Sequence, residues 1–329
     1  MAIYQKVGVM GAGAWGTALS LALMRAGREV LLWAREPEVV DSINARHENF
    51  AFLPGITLDP SIRATGEMTE IISRDALFMV APAQYTRALC KELRATGLPQ
   101  TTPLVMCSKG VEQGSLALMT EVAAEELPNN PLAVLSGPTF AIEVARGLPA
   151  SVTLASFRHP VIRRALKRAI ESENFKVFPS KDIIGAEISG AVKNVIAIAC
   201  GIAEGSGLGQ NAKAALIVRG MVEMRRICRA KGGRRRTLSQ LCGIGDLVLT
   251  ANSQTSRNFS LGYALGQGKT LEEIVAARVS IAEGVDSSES VVKLAQKLKV
   301  EVPICEAVYR IVHGHEDIKR TIERLVRES

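Results

Sequence analysis

The chain predicts an N-terminal α/β domain built on a doubly wound parallel sheet, followed by an all-α C-terminal domain. Three observations carry that reading. The length of 329 residues suits two domains of ordinary size better than one. Hydrophobic residues make up 47% of the chain but aromatic ones only 4%, a mixture suited to closely packed helices and parallel strands rather than to a β-sandwich. Short apolar runs alternate with helical segments through the first half and then give out near Ser180.

The elements follow in order. Residues 7–10 form a short apolar strand that stops at a glycine cluster, and residues 17–25 follow as a helix with Gly27 just past its end. Residues 29–33 are the second strand. Residues 76–80 are a third, stopped by Ala81-Pro82; residues 103–107 end at Ser108-Lys109-Gly110, and residues 132–135 at Ser136-Gly137-Pro138. Residues 151–154 and 176–178 add two more strands. Beyond Asp182 the segments 188–203, 212–229, 247–250, 270–277, 288–298 and 305–312 all read as helical. The boundary therefore falls near Ser180, giving domains 1–180 and 181–329. Internal repeats, low-complexity tracts and long linkers are absent from the sequence.

Composition excludes several classes. No run approaches the roughly 20 apolar residues of a membrane span, and the N-terminus enters a strand directly, so neither integral membrane association nor a signal peptide is expected. Cys90, Cys107, Cys200, Cys228, Cys242 and Cys305 lack Cys-x-x-Cys spacing and read as reduced core residues of a cytoplasmic protein. His313 and His315 flank one glycine with no carboxylate or cysteine pattern beside them, so no metal site is expected. The net charge is +7, and the basic residues Arg225, Arg226, Arg229, Lys231, Arg234, Arg235 and Arg236 crowd one segment. No aromatic side chains interleave with them, which argues against a nucleic-acid partner and for a solvated surface.

Gly11-Ala-Gly13-Ala-Trp-Gly16 has Gly-x-Gly-x-x-Gly spacing between the first strand and the first helix. In that context the glycines permit a tight turn, close approach of backbone to a pyrophosphate, and close helix–strand packing. The helix N-terminus adds free N–H groups and a favourable dipole. A Rossmann-like dinucleotide site is the reading. The second strand ends at Trp33-Ala34-Arg35-Glu36. An acid at this place favours NAD and an arginine accommodates the extra phosphate of NADP, so Arg35 favours NADP while Glu36 keeps NAD open.

Further on, residues 188–203 form an apolar helix rich in small residues whose single charge is Lys193. Such a helix is central to its domain, and its lysine either snorkels to solvent or faces a polar cavity. Desolvation would make it a proton carrier near neutrality, and both fates stay open on chemistry alone. Asp246, between a glycine turn and an apolar run, is either a helix N-cap or a site carboxylate. Ser256-Arg257-Asn258 ahead of a helix could clamp an anion or serve as a cap beside a surface arginine. Ala282-Glu283-Gly284 and Ser108-Lys109-Gly110 would each also pass as ordinary loops.

Taken in order, Gly-Ala-Gly-Ala-Trp-Gly-Thr-Ala-Leu (11–19), Ser-Lys-Gly-Val-Glu (108–112), Ser-Gly-Pro-Thr-Phe-Ala (136–141), Val-Lys-Asn (192–194), Gly-Ile-Gly-Asp-Leu-Val-Leu-Thr (243–250), Ser-Arg-Asn (256–258) and Ala-Glu-Gly-Val (282–285) resemble the bacterial-type NAD(P)-dependent glycerol-3-phosphate dehydrogenases. The resemblance spans both domains. It implies interconversion of sn-glycerol 3-phosphate and dihydroxyacetone phosphate with NAD(P), in supply of glycerophospholipid synthesis; Arg35 makes NADP the expected preference over NAD, and a homodimer is the expected assembly. It further implies that Lys193 is the general base, and that Lys109 lies near both substrate and nicotinamide. Gly137 and Thr139 would line the substrate pocket, and Asp246 would bind the substrate's hydroxyl side. Ser256, Arg257 and Asn258 would line the phosphate end. Gly11, Gly13, Ala14, Trp15, Gly16, Arg35, Ala141, Ile281 and Glu283, with Lys109 and Arg257, would hold the dinucleotide. Thr139 stands where the family usually has serine, and the basic segment before the glycine–aspartate block departs from the family. A related two-domain dehydrogenase for another hydroxy acid would keep the glycine loop and Lys193 but need not carry Ser-Arg-Asn or Gly-Ile-Gly-Asp.

Overall fold

The computed structural model describes residues 4–157, 159–276, 282–318 and 320–321. The chain divides into two compact units: residues 1–108 with 119–183, and residues 109–118 with 184–329. The sequence reading did not contain the excursion of residues 109–118, which belongs to the second unit although it is flanked on both sides by the first.

In the first unit the strands are β1 (Lys6–Met10), β2 (Glu29–Trp33), β3 (Glu48–Asn49), β4 (Leu53–Thr57), β5 (Arg63–Thr65), β6 (Ala76–Met79), β7 (Leu104–Met106), β8 (Leu132–Ser136), β9 (Ala150–Ala155) and β10 (Phe175–Ser180). Between them run helices α1 (Ala14–Arg25), α2 (Pro37–Arg46), α3 (Met68–Ile71), α4 (Thr86–Thr96), α5 (Met119–Glu126), α6 (Ala141–Ala145) and α7 (Pro160–Ile170). Eight strands form one sheet in the order β10-β9-β8-β7-β6-β1-β2-β5. From β5 through β8 every pairing is parallel. The chain order of those six strands reverses between β1 and β6, the switch point where ligands of doubly wound sheets bind. The strands on either side of that point are buried on both faces: Val7, Val9 and Met10 in β1 and Ala76, Leu77 and Phe78 in β6 are all fully enclosed.

The expectation of a wholly parallel sheet needs correcting at one edge, because β9 runs antiparallel to β8 and β10 then runs parallel to β9. Residues 137–149 join β8 to β9 and carry the five-residue helix α6, and they return the chain along the edge of the sheet in the opposite direction. The pieces β3, β4 and β5 were also not foreseen. They are two to five residues long and half exposed, so they leave no apolar run to read.

The second unit is helical among its described residues: α8 (Ile183–Gly205), α9 (Gly209–Ala230), α10 (Arg235–Leu238), α11 (Asp246–Ala251), α12 (Arg257–Gly266), α13 (Leu271–Ala276), α14 (Gly284–Leu298) and α15 (Pro303–Gly314). Helix α8 is its axis, with every residue from Gly185 to Ala203 buried. The small residues act as the sequence reading required. A Cβ on Gly201 would lie 2.1 Å from the Phe259 carbonyl oxygen, and one on Gly262 would lie 2.1 Å from that of Ile198, so α8 and α12 meet backbone against backbone. At 23 residues α8 is long and apolar enough to cross a membrane, which corrects the expectation that no run approaches that length; 89% of its most apolar stretch is buried in protein, as in a core helix. All six cysteines are buried and unbridged. The basic segment lies on the end of α9 and on α10, where Arg226, Arg229, Arg234, Arg235 and Arg236 are exposed.

Candidate active site

In the first unit the glycine loop joins β1 to α1, and its three glycines have separable reasons to be there. Gly11 has φ +117°, and a Cβ there would meet the Ala81 backbone nitrogen at 2.9 Å. A Cβ on Gly16 would lie 1.8 Å from the Gly11 carbonyl oxygen. Both are required by the protein's own packing. Gly13 is not: it caps α1 in ordinary extended backbone, and a Cβ there would meet nothing within 4 Å. The protein does not need that glycine for itself, and a close-lying pyrophosphate does, so the residues present fit a dinucleotide. Ala14 and Trp15 open α1 half-buried, with its free N–H groups. Arg35 follows β2, exposed, with its guanidinium 5.8 Å above the Tyr85 ring. At the end of β8, Gly137 lies so close to β9 that a Cβ would be 2.9 Å from Val152 Cα. The Thr139 hydroxyl donates to the Gly137 carbonyl at 3.2 Å, and Ala141 is the first residue of α6.

The second unit gathers the charged residues. Lys193 is 5% exposed on α8, and its Nζ donates to Asp246 Oδ1 at 2.5 Å and to Thr250 Oγ1 at 2.8 Å. Lys109 Nζ donates to the other oxygen of Asp246 at 2.7 Å. Asp246 opens α11 behind a π-helical turn, Leu241–Gly245, and is 1% exposed. Thr250 stands one turn later on the same face and donates its hydroxyl proton to the Asp246 carbonyl at 2.7 Å. Lys109 arrives on the excursion of residues 109–118. Its stem crosses α8 at Gly190, where a Cβ would come within 3.2 Å of Lys109 Cγ. That glycine lets two ammonium groups converge on one carboxylate.

Electrostatics separates the two lysines. Burial pulls Lys193 down to about 7, with Asp246 resisting and the charge of Lys109 assisting. Burial acts on Lys109 as well, but the charge of Asp246 and the hydrogen bond to it outweigh burial and hold the ammonium above its usual value. For Asp246, burial opposes ionisation and the two lysines overcome it, leaving the carboxyl below its ordinary range. Glu283 is raised by burial, while Arg257, Lys109 and Lys193 act the other way. Arg257 and both lysines therefore lie within electrostatic reach of Glu283. One lysine near neutrality beside one firmly charged is the pattern of a proton carrier next to an electrostatic anchor.

Around this cluster, the Ser256 hydroxyl accepts from the Phe259 amide at 3.3 Å and so caps α12, the plainer of its two sequence readings. Asn258 is buried, its Oδ1 accepting from the Gly284 amide at 2.9 Å. Arg257 is exposed at the first position of α12. Gly284 packs α14 onto α8, its would-be Cβ 3.0 Å from the carbonyl of Asn194, the residue after Lys193. Ile281 lies outside the described residues. Sequence reading missed two residues. Thr250 was legible as the fourth residue after Asp246 on a helix. Asn49 left no signal in sequence: it lies on β3 and hydrogen-bonds into the glycine loop.

A doubly wound dinucleotide-binding unit and a unit holding two lysines on one buried carboxylate define a nicotinamide-dependent dehydrogenase. Models of the NAD-dependent glycerol-3-phosphate dehydrogenase N-terminus and C-terminus match residues 6–161 and 182–323, and the chain belongs to that family. It is 54% identical over 323 residues to glycerol-3-phosphate dehydrogenase (NAD(P)+) of Caulobacter vibrioides, covering 98% of this chain and 97% of that one. With the protein of the same name from Rhodospirillum rubrum it shares 52% over 325 residues, covering 98% and 93%. The crystal structure of glycerol-3-phosphate dehydrogenase from Coxiella burnetii matches with a TM-score of 0.94 at 37% identity, over 98% of this chain and 99% of that one.

Proposed function

We propose that this enzyme interconverts sn-glycerol 3-phosphate and dihydroxyacetone phosphate, with NADP preferred over NAD. The observation that carries the reading is the enclosed Lys193, bonded to Asp246 and Thr250 and poised near neutrality. When bound, the cofactor supplies or accepts the hydride. In oxidation, neutral Lys193 takes the proton of the substrate's C2 hydroxyl as hydride leaves C2. In reduction, its ammonium form returns that proton to the carbonyl oxygen. Lys109, kept charged by Asp246, polarises the carbonyl. Asp246 holds the two lysines apart in charge as well as in place, in addition to its expected part on the substrate's hydroxyl side. Arg257, at the N-terminus of α12 with Ser256 and Asn258 beside it, seats the phosphate.

Gly137 and Thr139 serve the substrate; Ala14, Trp15, Ala141, Ile281 and Glu283 serve the cofactor. The exposed Arg35 just past β2 supports the NADP preference. The enzyme is proposed to act in the cytoplasm as a homodimer, with Leu208 and Val218, exposed beside and on α9, as apolar surface for a second copy. The test is a spectrophotometric assay with dihydroxyacetone phosphate, run with NADH and NADPH in parallel. Turnover with both, and a lower KM for NADPH, is expected. Turnover of hydroxy acids in place of the triose phosphate would refute the substrate.

A further inference from the structure

We propose that Asn49 is a positioning residue for the cofactor, fixing through the Ala12 carbonyl which edge of the Ala12–Gly13 peptide faces the phosphates. The proposal rests on the reading of residues 11–16 as the pyrophosphate seat. Asn49 is fully buried. Its Nδ2 donates to the Ala12 carbonyl at 2.7 Å and to Thr17 Oγ1 at 2.8 Å, while its Oδ1 accepts from the Phe52 amide at 3.1 Å. The Phe52 amide can only donate, so the orientation of the Asn49 amide is set by the β3–β4 hairpin. Among the described residues the other group donating to Ala12's oxygen is the Thr17 hydroxyl, at a long 3.4 Å.

A trans peptide carries its C=O and N–H on opposite edges. With the Ala12 carbonyl drawn into the core by Asn49, the Gly13 N–H points the other way, toward the open side of the loop. That is the residue where a Cβ would meet no protein atom within 4 Å. A reversed peptide would present a carbonyl oxygen to the phosphates, turning an attraction into a repulsion. A small hairpin outside the main sheet thereby sets the sign of the dipole that the loop offers its ligand.

Two variants test this. Asn49→Ala removes the side chain. Asn49→Asp keeps its volume and the acceptor for Phe52 but has no N–H for Ala12. Titration calorimetry with NADPH, ADP-ribose and 2′-AMP separates the pyrophosphate from the adenosine end, with thermal midpoints measured alongside. Both variants are expected to bind NADPH and ADP-ribose about tenfold or more weaker, the scale of one charged hydrogen bond, with 2′-AMP affinity and the KM for dihydroxyacetone phosphate held. Where Asn49→Ala does not fold, Asn49→Asp gives the answer. Equal weakening of all three ligands, or NADPH and ADP-ribose bound as in the parent, overturns the proposal. Gly13→Ala run in parallel separates the premises: if it loses NADPH while the Asn49 variants do not, only Asn49's role fails. If Gly13→Ala also binds normally, the loop reading fails with it.

Discussion

The glycine loop of the first unit and the lysine cluster of the second are built from opposite materials. At the loop the chemistry is backbone: absent Cβ atoms, free N–H groups and one buried carbonyl, with no ionised side chain in the loop itself. At the cluster it is side chain: two ammonium groups on one buried carboxylate, brought in from positions 109, 193 and 246. The loop is local, six residues with fixed spacing. The cluster exists only once three distant segments have packed. A backbone site fails at its glycines and at the one side chain that holds its peptide, whereas a side-chain site fails when either charge of the Lys193–Asp246 pair is removed, because the other remains buried.

The sharpest way to break this contrast is Lys193→Met. It should lower kcat in both directions by about 10²–10⁴-fold, the usual worth of a positioned acid–base group, with little change in the NADPH dissociation constant. Near-normal turnover would remove Lys193 as the proton carrier.

Within the loop, Gly16→Ala and Gly13→Ala should part company. A Cβ on Gly16 strikes the Gly11 carbonyl at 1.8 Å, so thermal and denaturant unfolding should show about 1–3 kcal/mol lost. Gly13→Ala meets nothing and should unfold like the parent while binding NADPH more weakly by fluorescence titration. Equal destabilisation by both would erase the distinction between packing glycine and ligand glycine. A smaller effect is expected at Arg35→Ala, which should weaken NADPH about tenfold more than NADH, the scale of one charged hydrogen bond to a phosphate. Equal loss for the two cofactors would remove the argument for NADP.

The same contrast decides what could be read before folding. The loop and the strands flanking it were legible because strand, turn and helix are contiguous and each constrains its neighbour. The reversal of β9 was not, since nothing local to residues 150–155 records the direction in which they join the sheet. Lys193 stood out as a lone charge in an apolar helix, a conflict between residue and environment that sequence does display. Its partners did not: Asp246 read equally well as a helix cap, and Gly190 read only as one more small residue. Asn49 lies on a two-residue strand and acts on a loop nearly forty positions earlier, so no spacing rule reaches it.

The central claim is that Lys193 carries the proton and is poised near neutrality, and the pH dependence of kcat in both directions tests it most directly. A base must be neutral and an acid charged. With Lys193 lowered to about 7, oxidation of glycerol 3-phosphate should rise as pH increases through that value, and reduction of dihydroxyacetone phosphate should fall through it. Titration of the substrate's phosphate near pH 6 would move both directions the same way, so opposite slopes single out the lysine. Profiles that run in parallel, or stay flat between about pH 6 and 8.5, would contradict the account.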